Sequence, residues 1–369
     1  MENFIVSARK YRPSVFDEVV GQRHITDTLI NEINSNQLAQ SFLFTGPRGV
    51  GKTTCARILA KIVNQTENDN PDNDYSFNIF ELDAASNNSV DDIRGLIEQI
   101  RIPPQTGKYK VYIIDEVHML SSQAFNAFLK TLEEPPKYAI FILATTERHK
   151  VLPTILSRCQ IFNFRRIQVN DMVEHLKKIA LKENIQVEEE ALHVIAEKAD
   201  GGLRDCLSIF DQMVSFSKGK ITYDKAIENL NILDRGIYFK MTEAIINQDI
   251  AQTLNLFDNI IQLGFDGQLF LNGLSDHLRN LLVCKNPNTH KLLNVSENHK
   301  ERYKIQSEEC QLSFLLNALN INNQFDIEYK TSKNQRLHIE LALLKLCHIK
   351  SLIQSNLTLE ELKKKVMSI

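Results

Sequence analysis

Apolar residues change their spacing near residue 166 of this 369-residue chain. Up to that point, short runs rich in β-branched and aromatic residues alternate with segments of helical spacing. This alternation is typical of an α/β domain with a mostly parallel sheet. The candidate strands are 41–45, 79–84, 110–115, 139–145 and 159–164.

Beyond about residue 167 the apolar residues recur at helical spacing, and no further strand is expected. Polar breaks separate the shorter helical segments, and longer amphipathic stretches follow Thr222. The predicted helices include 171–184, 188–201, 202–216, 250–264 and 335–352.

The two patterns predict three domains. An α/β domain covers 1–166, a small helical domain covers 167–229, and a helical C-terminal domain covers 230–369. The length agrees with this division, because the chain is too long for one ordinary core. The segment 66–74 contains no apolar residue and is predicted to be a solvated loop.

Composition narrows the class of protein. Hydrophobic residues make up 43% and charged residues 24% of the chain, as in soluble globular proteins. The formal net charge of −3 excludes a uniformly basic protein that coats nucleic acid. It leaves room for a local basic surface, because a net charge does not describe its distribution.

The cysteines and the N-terminus predict a cytoplasmic protein. Six cysteines lie far apart without a C-x-x-C pair, which favours reduced thiols over disulfides or a zinc site. The N-terminal segment carries charges where a signal peptide needs an apolar core. No apolar run approaches the roughly 18 residues that a membrane-spanning helix requires.

The segment "GPRGVGKT", Gly46 to Thr53, matches the phosphate-loop pattern G-x-x-x-x-G-K-[ST] in full. It follows one predicted strand and opens a predicted helix, so its N–H groups and the helix N-terminus can surround an anion. Lys52 is expected to reach the β- and γ-phosphates, and the Thr53 hydroxyl to hold Mg²⁺. A chance glycine-rich turn is the alternative, which the strand and helix on either side disfavour.

Two later strands end in candidate catalytic groups. "KVYIIDEVHML" ends in Asp115, suited to Mg²⁺, and Glu116, suited to orient an attacking water. "FILATTE" ends in Thr145 and Thr146, of which Thr146 is preferred as the hydroxyl that contacts the water or the γ-phosphate. The alternatives are solvated turn carboxylates and threonines that merely favour strands.

Together these residues resemble the AAA+ ATPases of sliding-clamp loaders, and within them the gamma/tau family of bacterial DNA polymerase III. The shared motifs run in family order from about residue 8 to 210, whereas beyond 230 only helical character agrees with the family's oligomerisation collar. The motifs are "ARKYRPSVFDEVVGQ", "GPRGVGKTT", "ELDAASNNSVDDIR", "YIIDEVHMLSSQAFNAFLKTLEEPP", "FILATTE", "ILSRC" and "GGLRDCLS".

The resemblance implies a P-loop AAA+ domain, a helical lid and an all-α collar, with ATP and Mg²⁺ as ligands. Arg158 of "SRC" matches the arginine finger that completes a neighbouring subunit's site, and Arg204 of "GGLRDCLS" matches the second sensor of its own site. A surface ion pair and a pair along a helix are the respective alternatives. The implied nucleotide-binding residues are Gly46, Pro47, Arg48, Gly49, Val50, Gly51, Lys52, Thr53 and Thr54 at the phosphates, and Tyr11, Arg12, Val19 and Val20 near adenine.

The chain departs from the family in one region. Family members commonly carry a four-cysteine zinc module before the "DAAS" strand, but residues 64–80 here contain no cysteine. Zinc needs about four close thiolate or imidazole ligands, so no zinc is predicted. For DNA, backbone tracking needs only a few basic groups. Arg94 and Lys130 are the candidates, with solvated helix charges as the alternative.

The function predicted by the resemblance is an ATPase motor of the clamp loader, acting within the DNA polymerase III holoenzyme. Its partners would be the other clamp-loader subunits, the sliding clamp, primer–template DNA and further replisome components. One alternative is another AAA+ DNA remodeller, such as a branch-migration motor. A second is a scaffold subunit that does not hydrolyse ATP, although such subunits typically lose phosphate-loop residues that this chain retains.

Overall fold

The computed structural model describes residues 5–65, 77–105, 107–217, 219–293, 295 and 297–349. The chain divides into two compact units. Unit 1 comprises Met1–Val187 and Leu192–Ile221, and unit 2 comprises Glu188–Ala191 and Thr222–Ile369. The predicted solvated loop at 66–74 lies outside the described residues.

Unit 1 is built on a parallel five-stranded sheet, which confirms the predicted fold class. The strand order is β2-β3-β4-β1-β5, and every pairing is parallel. The carboxyl ends of these strands therefore meet at one edge, where Asp83 is level with Asp115 and Thr45 with Thr145. The strands are β1 Ser41–Thr45, β2 Ile79–Asp83, β3 Lys110–Asp115, β4 Ala139–Thr145 and β5 Gln160–Asn163.

Helices cover both faces of this sheet, as a parallel sheet requires. Phe42 and Phe44 of β1 pack with α2 and α3, whereas Leu43 between them packs with the cluster that includes α4, α5 and α6. The helices before residue 222 are α1 Ser7–Lys10, α2 Arg23–Asn34, α3 Lys52–Ile62, α4 Val90–Ile100, α5 Ser122–Glu133, α6 Pro153–Leu156, α7 Val169–Lys182, α8 Glu189–Lys198 and α9 Leu203–Ser217. Short 3₁₀ turns lie at Phe16–Glu18, Val117–Met119 and Arg148–Lys150.

The expectation that strands stop near residue 167 is wrong. Strands β6, Gln186–Val187, and β7, Lys220–Ile221, form a small parallel ladder. Two residues are too few to produce a readable alternation of apolar and polar positions, so the sequence pattern could not reveal them.

Unit 2 is helical throughout its described part. Its core includes Phe257, Phe270, Leu271, Leu274 and Leu343. Its helices are α10 Tyr223–Asn229, α11 Arg235–Ile246, α12 Ile250–Gln262, α13 Gly267–Cys284, α14 Glu297–Glu309, α15 Leu312–Tyr329 and α16 Gln335–Cys347, with a 3₁₀ segment at Pro287–Leu292. Among the helices that the structure describes, none is long and apolar enough to cross a membrane.

Candidate active site

The phosphate loop runs from the end of β1 to the start of α3 and depends on glycine at two positions. Gly46 has φ 146° and Gly51 has φ 103°, in the left-handed region that favours glycine. A Cβ at Gly46 would lie 2.4 Å from the carbonyl oxygen of Phe164. The loop can therefore pass this close to the chain after β5 only without a side chain at residue 46.

Lys52, the first residue of α3, is buried inside the loop. Its Nζ donates to the carbonyl oxygens of Gly46 at 2.8 Å and Pro47 at 2.7 Å, and only 6% of the residue is exposed. Burial lowers the pKa of this ammonium, and the nearby carboxylates of Glu116 and Asp115 partly offset the effect by favouring the charged form.

Thr53 and Asp115 form the pair expected at a magnesium site. The Thr53 hydroxyl donates to Asp115 Oδ2 at 2.7 Å, and Asp115 Oδ1 accepts the backbone N–H of Glu116 at 2.9 Å. A hydroxyl and a carboxylate supply hard oxygen ligands, and Mg²⁺ in nucleotide sites takes few protein ligands besides phosphates and waters. These two side chains therefore fit the ion.

Glu116 is held beside Thr146 across the end of the sheet. Its Oε2 accepts from the Thr146 hydroxyl at 3.0 Å and from the Thr146 N–H at 3.2 Å. Its backbone has φ 49°, which side-chain-bearing residues seldom adopt. Thr145, the other hydroxyl at this strand end, is fully buried and contacts His118 instead.

These elements surround a cavity of about 390 Å³ in unit 1. Most of the predicted nucleotide-site residues line it, and Gly46, Pro47 and Thr146 contribute through their contacts with Lys52 and Glu116. The predicted residues in the lining are Tyr11, Arg12, Val19, Val20, Arg48, Gly49, Val50, Gly51, Lys52, Thr53, Thr54, Asp115, Glu116 and Arg204.

The lining also contains residues that the sequence analysis missed. Asp83 could have been found, because it is an acid near the carboxyl end of the predicted strand 79–84, and the structure pairs this strand with the carboxylate strand β3. Ile167 lies outside the shared motifs, and the others stand inside them as apolar residues or proline, whose side chains carry no chemistry that would indicate a role. They are Ala8, Pro13, Ala85, Ile167, Leu203 and Leu207.

The N-terminal segment that lines part of the cavity is hydrogen-bonded to a residue of α9 and to the residue that follows α7. The Ser7 N–H donates to the Asp211 carboxylate at 2.6 Å, and the Ser7 hydroxyl donates to the same group. Glu183 accepts from Lys10 and from the Tyr11 hydroxyl, and these bonds lower the pKa of Glu183. Tyr11 and Arg12 therefore line the cavity on a segment anchored at both ends.

Arg204 belongs to α9, beside the phosphate loop. Its backbone N–H donates to the carbonyl oxygen of Gly49 at 3.3 Å, and its exposed side chain lines the cavity. The close approach of Gly202 to Gly49 completes this contact, since a Cβ on Gly49 would lie 3.3 Å from the Gly202 Cα.

Besides Gly46, Pro47 and Thr146, three further predicted residues do not line the cavity. Arg158 forms an ion pair with Glu133 at 2.7 Å, which is the surface pair that the sequence analysis gave as the alternative to an arginine finger. It also donates to the Thr154 carbonyl at 2.7 Å. Arg94 is exposed on α4 and pairs with Asp91 of its own helix at 3.3 Å. Lys130 is exposed on α5.

Comparison with known proteins defines the class. The protein-family model described as "DNA polymerase III clamp loader subunit, ATPase lid domain" matches residues 171–219. The models "DNA polymerase III, delta subunit" and "DNA polymerase III subunits gamma and tau domain III" match residues 21–168 and 222–362. With its parallel sheet, phosphate loop and lid, the chain is a P-loop protein of the AAA+ clamp-loader class.

Sequence relatives define the family within this class. The chain is 39% identical to DNA polymerase III subunit tau of Bacillus subtilis, covering 92% of this chain and 62% of that protein. It is 32% identical to DNA polymerase III subunit gamma of Buchnera aphidicola subsp. Baizongia pistaciae, covering 94% of this chain and 98% of the relative. The chain belongs to the DNA polymerase III gamma/tau family.

The relatives differ in how much of them the chain spans. It covers 62% of the B. subtilis tau subunit and 56% of the Mycoplasma genitalium gamma/tau subunit. Among solved structures, the Thermotoga maritima RuvB Holliday junction branch migration motor is 21% identical, with a TM-score of 0.48. The match covers 64% of this chain and 79% of the RuvB chain.

Proposed function

We propose that this chain is the ATP-hydrolysing motor subunit of a clamp loader, which opens a sliding clamp and loads it onto primed DNA. Membership of the gamma/tau family supports the class of activity. The observation that carries the proposal of hydrolysis is the convergence of Lys52, Thr53, Asp115 and Glu116 on one cavity. The alternative scaffold subunit has no need of that complete set.

ATP would bind with its phosphates in the loop of residues 46–54 and its adenine near Tyr11, Arg12, Val19 and Val20. Lys52 would exchange its two hydrogen bonds to carbonyl oxygens for bonds to phosphate oxygens. The buried ammonium would then face negatively charged partners in place of neutral ones. Bound Mg²⁺, held by Thr53 and Asp115, would neutralise charge on the β- and γ-phosphates.

Hydrolysis would depend on Glu116, which orients the attacking water. A carboxylate that accepts two hydrogen bonds from Thr146 has a defined direction, and a positioned general base contributes about 10²–10⁴-fold to a rate. Arg204 would contact the γ-phosphate from the lid of its own subunit and thereby couple the lid angle to the nucleotide state.

Arg158 would act in trans on the site of a neighbouring subunit. Its ion pair with Glu133 is partly exposed, and such pairs contribute at most about 1 kcal/mol, so assembly can replace it at small cost. A guanidinium that meets a γ-phosphate only across an interface makes hydrolysis depend on the assembled ring. ATP binding would order the ring of subunits, and ATP hydrolysis would dissolve that order.

The remaining parts of the proposal concern partners and organisation. They comprise the three-domain boundaries at 166 and 229, a cytoplasmic location, and partnership with other clamp-loader subunits, the clamp and primer–template DNA. Arg94 and Lys130 are candidate contacts to the DNA backbone. Without the family's cysteine module, zinc is not part of the proposed cofactor set; most of that region, residues 66–76, lies outside the described residues.

Two variants separate ATP binding from hydrolysis. Lys52→Ala is expected to weaken ATP binding at least about 100-fold, because the phosphates lose the buried ammonium that would donate to them. Glu116→Gln is expected to bind ATP normally but to lose about 100-fold or more in turnover. Binding is measured with a fluorescent ATP analogue, and turnover with the clamp-loader partners, clamp and primed DNA present.

Lys61→Ala is the matched control, since Lys61 is an exposed lysine on the same helix α3. The scaffold alternative predicts that turnover by the assembled complex survives in both test variants. Wild-type turnover that ignores the clamp would instead favour another AAA+ remodeller.

A further inference from the structure

His118 is a nearly buried imidazole directly behind the candidate catalytic carboxylate. It lies in the 3₁₀ turn Val117–Met119 that follows β3, and only 6% of its side chain is exposed. None of the roles described above uses His118. A buried ring with two polar nitrogens needs partners, and its partners indicate its role.

The two ring nitrogens face two different glutamates. Nδ1 lies 3.0 Å from Thr145 Oγ1 and 3.4 Å from Glu116 Oε2. Nε2 lies 3.5 Å from Glu147 Oε1. The imidazole therefore hydrogen-bonds Thr145 and lies between the carboxylate of Glu116, which follows β3, and that of Glu147, which follows β4.

His118 lies beside the same Glu116 oxygen that accepts the hydrogen bonds from Thr146. Glu116 Oε2 accepts from the hydroxyl and the N–H of Thr146 and also faces the imidazole. Removal of the ring would leave one side of that carboxylate without its neighbour.

Glu147 connects this contact to the segment that leads to Arg158. It pairs with Lys150 at 2.8 Å and lies 3.5 Å from His149, both in the 3₁₀ turn Arg148–Lys150. Its backbone N–H also donates to Thr145 Oγ1 at 3.0 Å, the hydroxyl that His118 contacts. Helix α6 and Arg158 follow directly along the chain.

We propose that His118 is a positioning residue, whose imidazole holds the Glu116 carboxylate against Thr146 and links it to Glu147 at the start of the Arg158 segment. This inference rests on the proposed function, in which Glu116 orients the attacking water. Hydrolysis in one subunit would then respond to the position of the segment that carries its own arginine to the neighbour.

The test compares three substitutions at His118, because two of them each retain one ring contact. His118→Asn places an amide nitrogen near the position of Nδ1, whereas His118→Gln places one near Nε2. His118→Ala retains neither. His149→Ala is the matched control, since His149 lies equally close to Glu147 but is 76% exposed and does not contact Glu116.

Turnover is measured in the assembled clamp loader with clamp and primed DNA, and ATP binding and melting temperature on each variant chain. His118→Ala is expected to lose roughly 10- to 100-fold in kcat, as small misplacements of a catalytic group do, with ATP affinity within about 2-fold of wild type. His118→Asn should recover to within about 3-fold of wild type, His118→Gln should stay low, and His149→Ala should match wild type.

Three results would overturn the inference: wild-type kcat in His118→Ala, no difference between folded His118→Asn and His118→Gln, or parallel losses of ATP binding and thermal stability. If His118→Ala fails to fold, the comparison of the Asn and Gln variants decides alone. Glu116→Gln is assayed beside them. Undiminished turnover in that variant would overturn the proposed function as well, whereas its loss together with a normal His118→Ala would overturn this inference only.

Discussion

Lys52 shows how single residues define the site. An ammonium with so little exposure is costly to bury unless hydrogen bonds and opposite charges compensate it. Here the loop carbonyls of Gly46 and Pro47 accept from it, and Asp115 and Glu116 stabilise its charge. The shape of the phosphate loop and the charge that it surrounds therefore depend on each other.

A substitution at Gly46 tests this dependence. In Gly46→Ala the added Cβ would meet the Phe164 carbonyl at 2.4 Å in a backbone conformation that alanine resists. We expect a loss of about 2 kcal/mol or more in the free energy of unfolding, and ATP binding weakened at least about 10-fold. Chemical denaturation and equilibrium nucleotide binding measure the two effects.

Gly95→Ala provides the control for that substitution. Gly95 lies in α4 with nothing within 4 Å of its added Cβ, so alanine should raise stability by up to about 1 kcal/mol. If Gly46→Ala binds ATP as tightly as Gly95→Ala, the close approach to Phe164 has no role in shaping the loop.

At the scale of elements, helix α13 carries a buried polar cluster in unit 2. His277 is 1% exposed, and its ring nitrogens lie 3.2 Å from the Tyr303 hydroxyl and 3.0 Å from Gln306 Oε1. Burial lowers the pKa of His277 to about 3, against a raising effect of the Gln306 bond, and Arg235 and Arg302 lower it further. The folded helix bundle therefore holds a neutral imidazole.

This shift predicts acid destabilisation of unit 2. The unfolded imidazole binds a proton as the pH falls below 6.5, whereas the folded one stays neutral down to about 3. Stability is therefore complete above pH 6.5 and decreases toward pH 3, by about 1.4 kcal/mol per pH unit at the full slope. Relative to His277→Gln, wild type should lose about 2 kcal/mol more between pH 7.5 and 5.

Denaturant unfolding of both proteins at several pH values measures that difference. The substitution lowers stability at every pH, so the slope against pH is the quantity to compare. Parallel slopes would mean that His277 takes up its proton equally well in the folded chain.

Sequence patterns predicted the elements where the signal is local. Strands β1, β3 and β4 begin and end as expected, because buried β-branched and aromatic runs end at clear polar boundaries. The predicted strand 159–164 extends one residue beyond β5 at each end, since edge strands leave exposed positions that weaken the pattern.

The site residues also differ in whether the local sequence reveals them. The phosphate loop is contiguous, so its spacing alone reveals it, whereas Ile167 and Leu203 reach the cavity only because the chain folds back over it. The contact of Glu116 with His118 is local, since the two residues stand two positions apart, whereas the approach of His118 to Thr145 and Glu147 is a product of the tertiary fold.

At the scale of the whole molecule, the proposed function makes the complete site a property of an assembly. Within one chain the cavity has its phosphate loop, its carboxylates and the lid arginine Arg204, but Arg158 does not line it. Under the proposed function, Arg158 instead serves the neighbouring subunit, and clamp and DNA stimulate turnover by bringing subunits together. Isolated chains should then hydrolyse ATP slowly even though they bind it.

The most direct measurement is ATP turnover by the assembled clamp loader, with and without clamp and primed DNA, for wild type and Arg158→Ala. Arginine fingers contribute about 10³–10⁵-fold in other enzymes, so the variant should lose at least about 100-fold while binding ATP normally. Arg57→Ala is the control, since Arg57 forms a comparably exposed ion pair with Glu81 on the same unit. Turnover that ignores clamp, DNA and Arg158 alike would contradict the trans-acting motor.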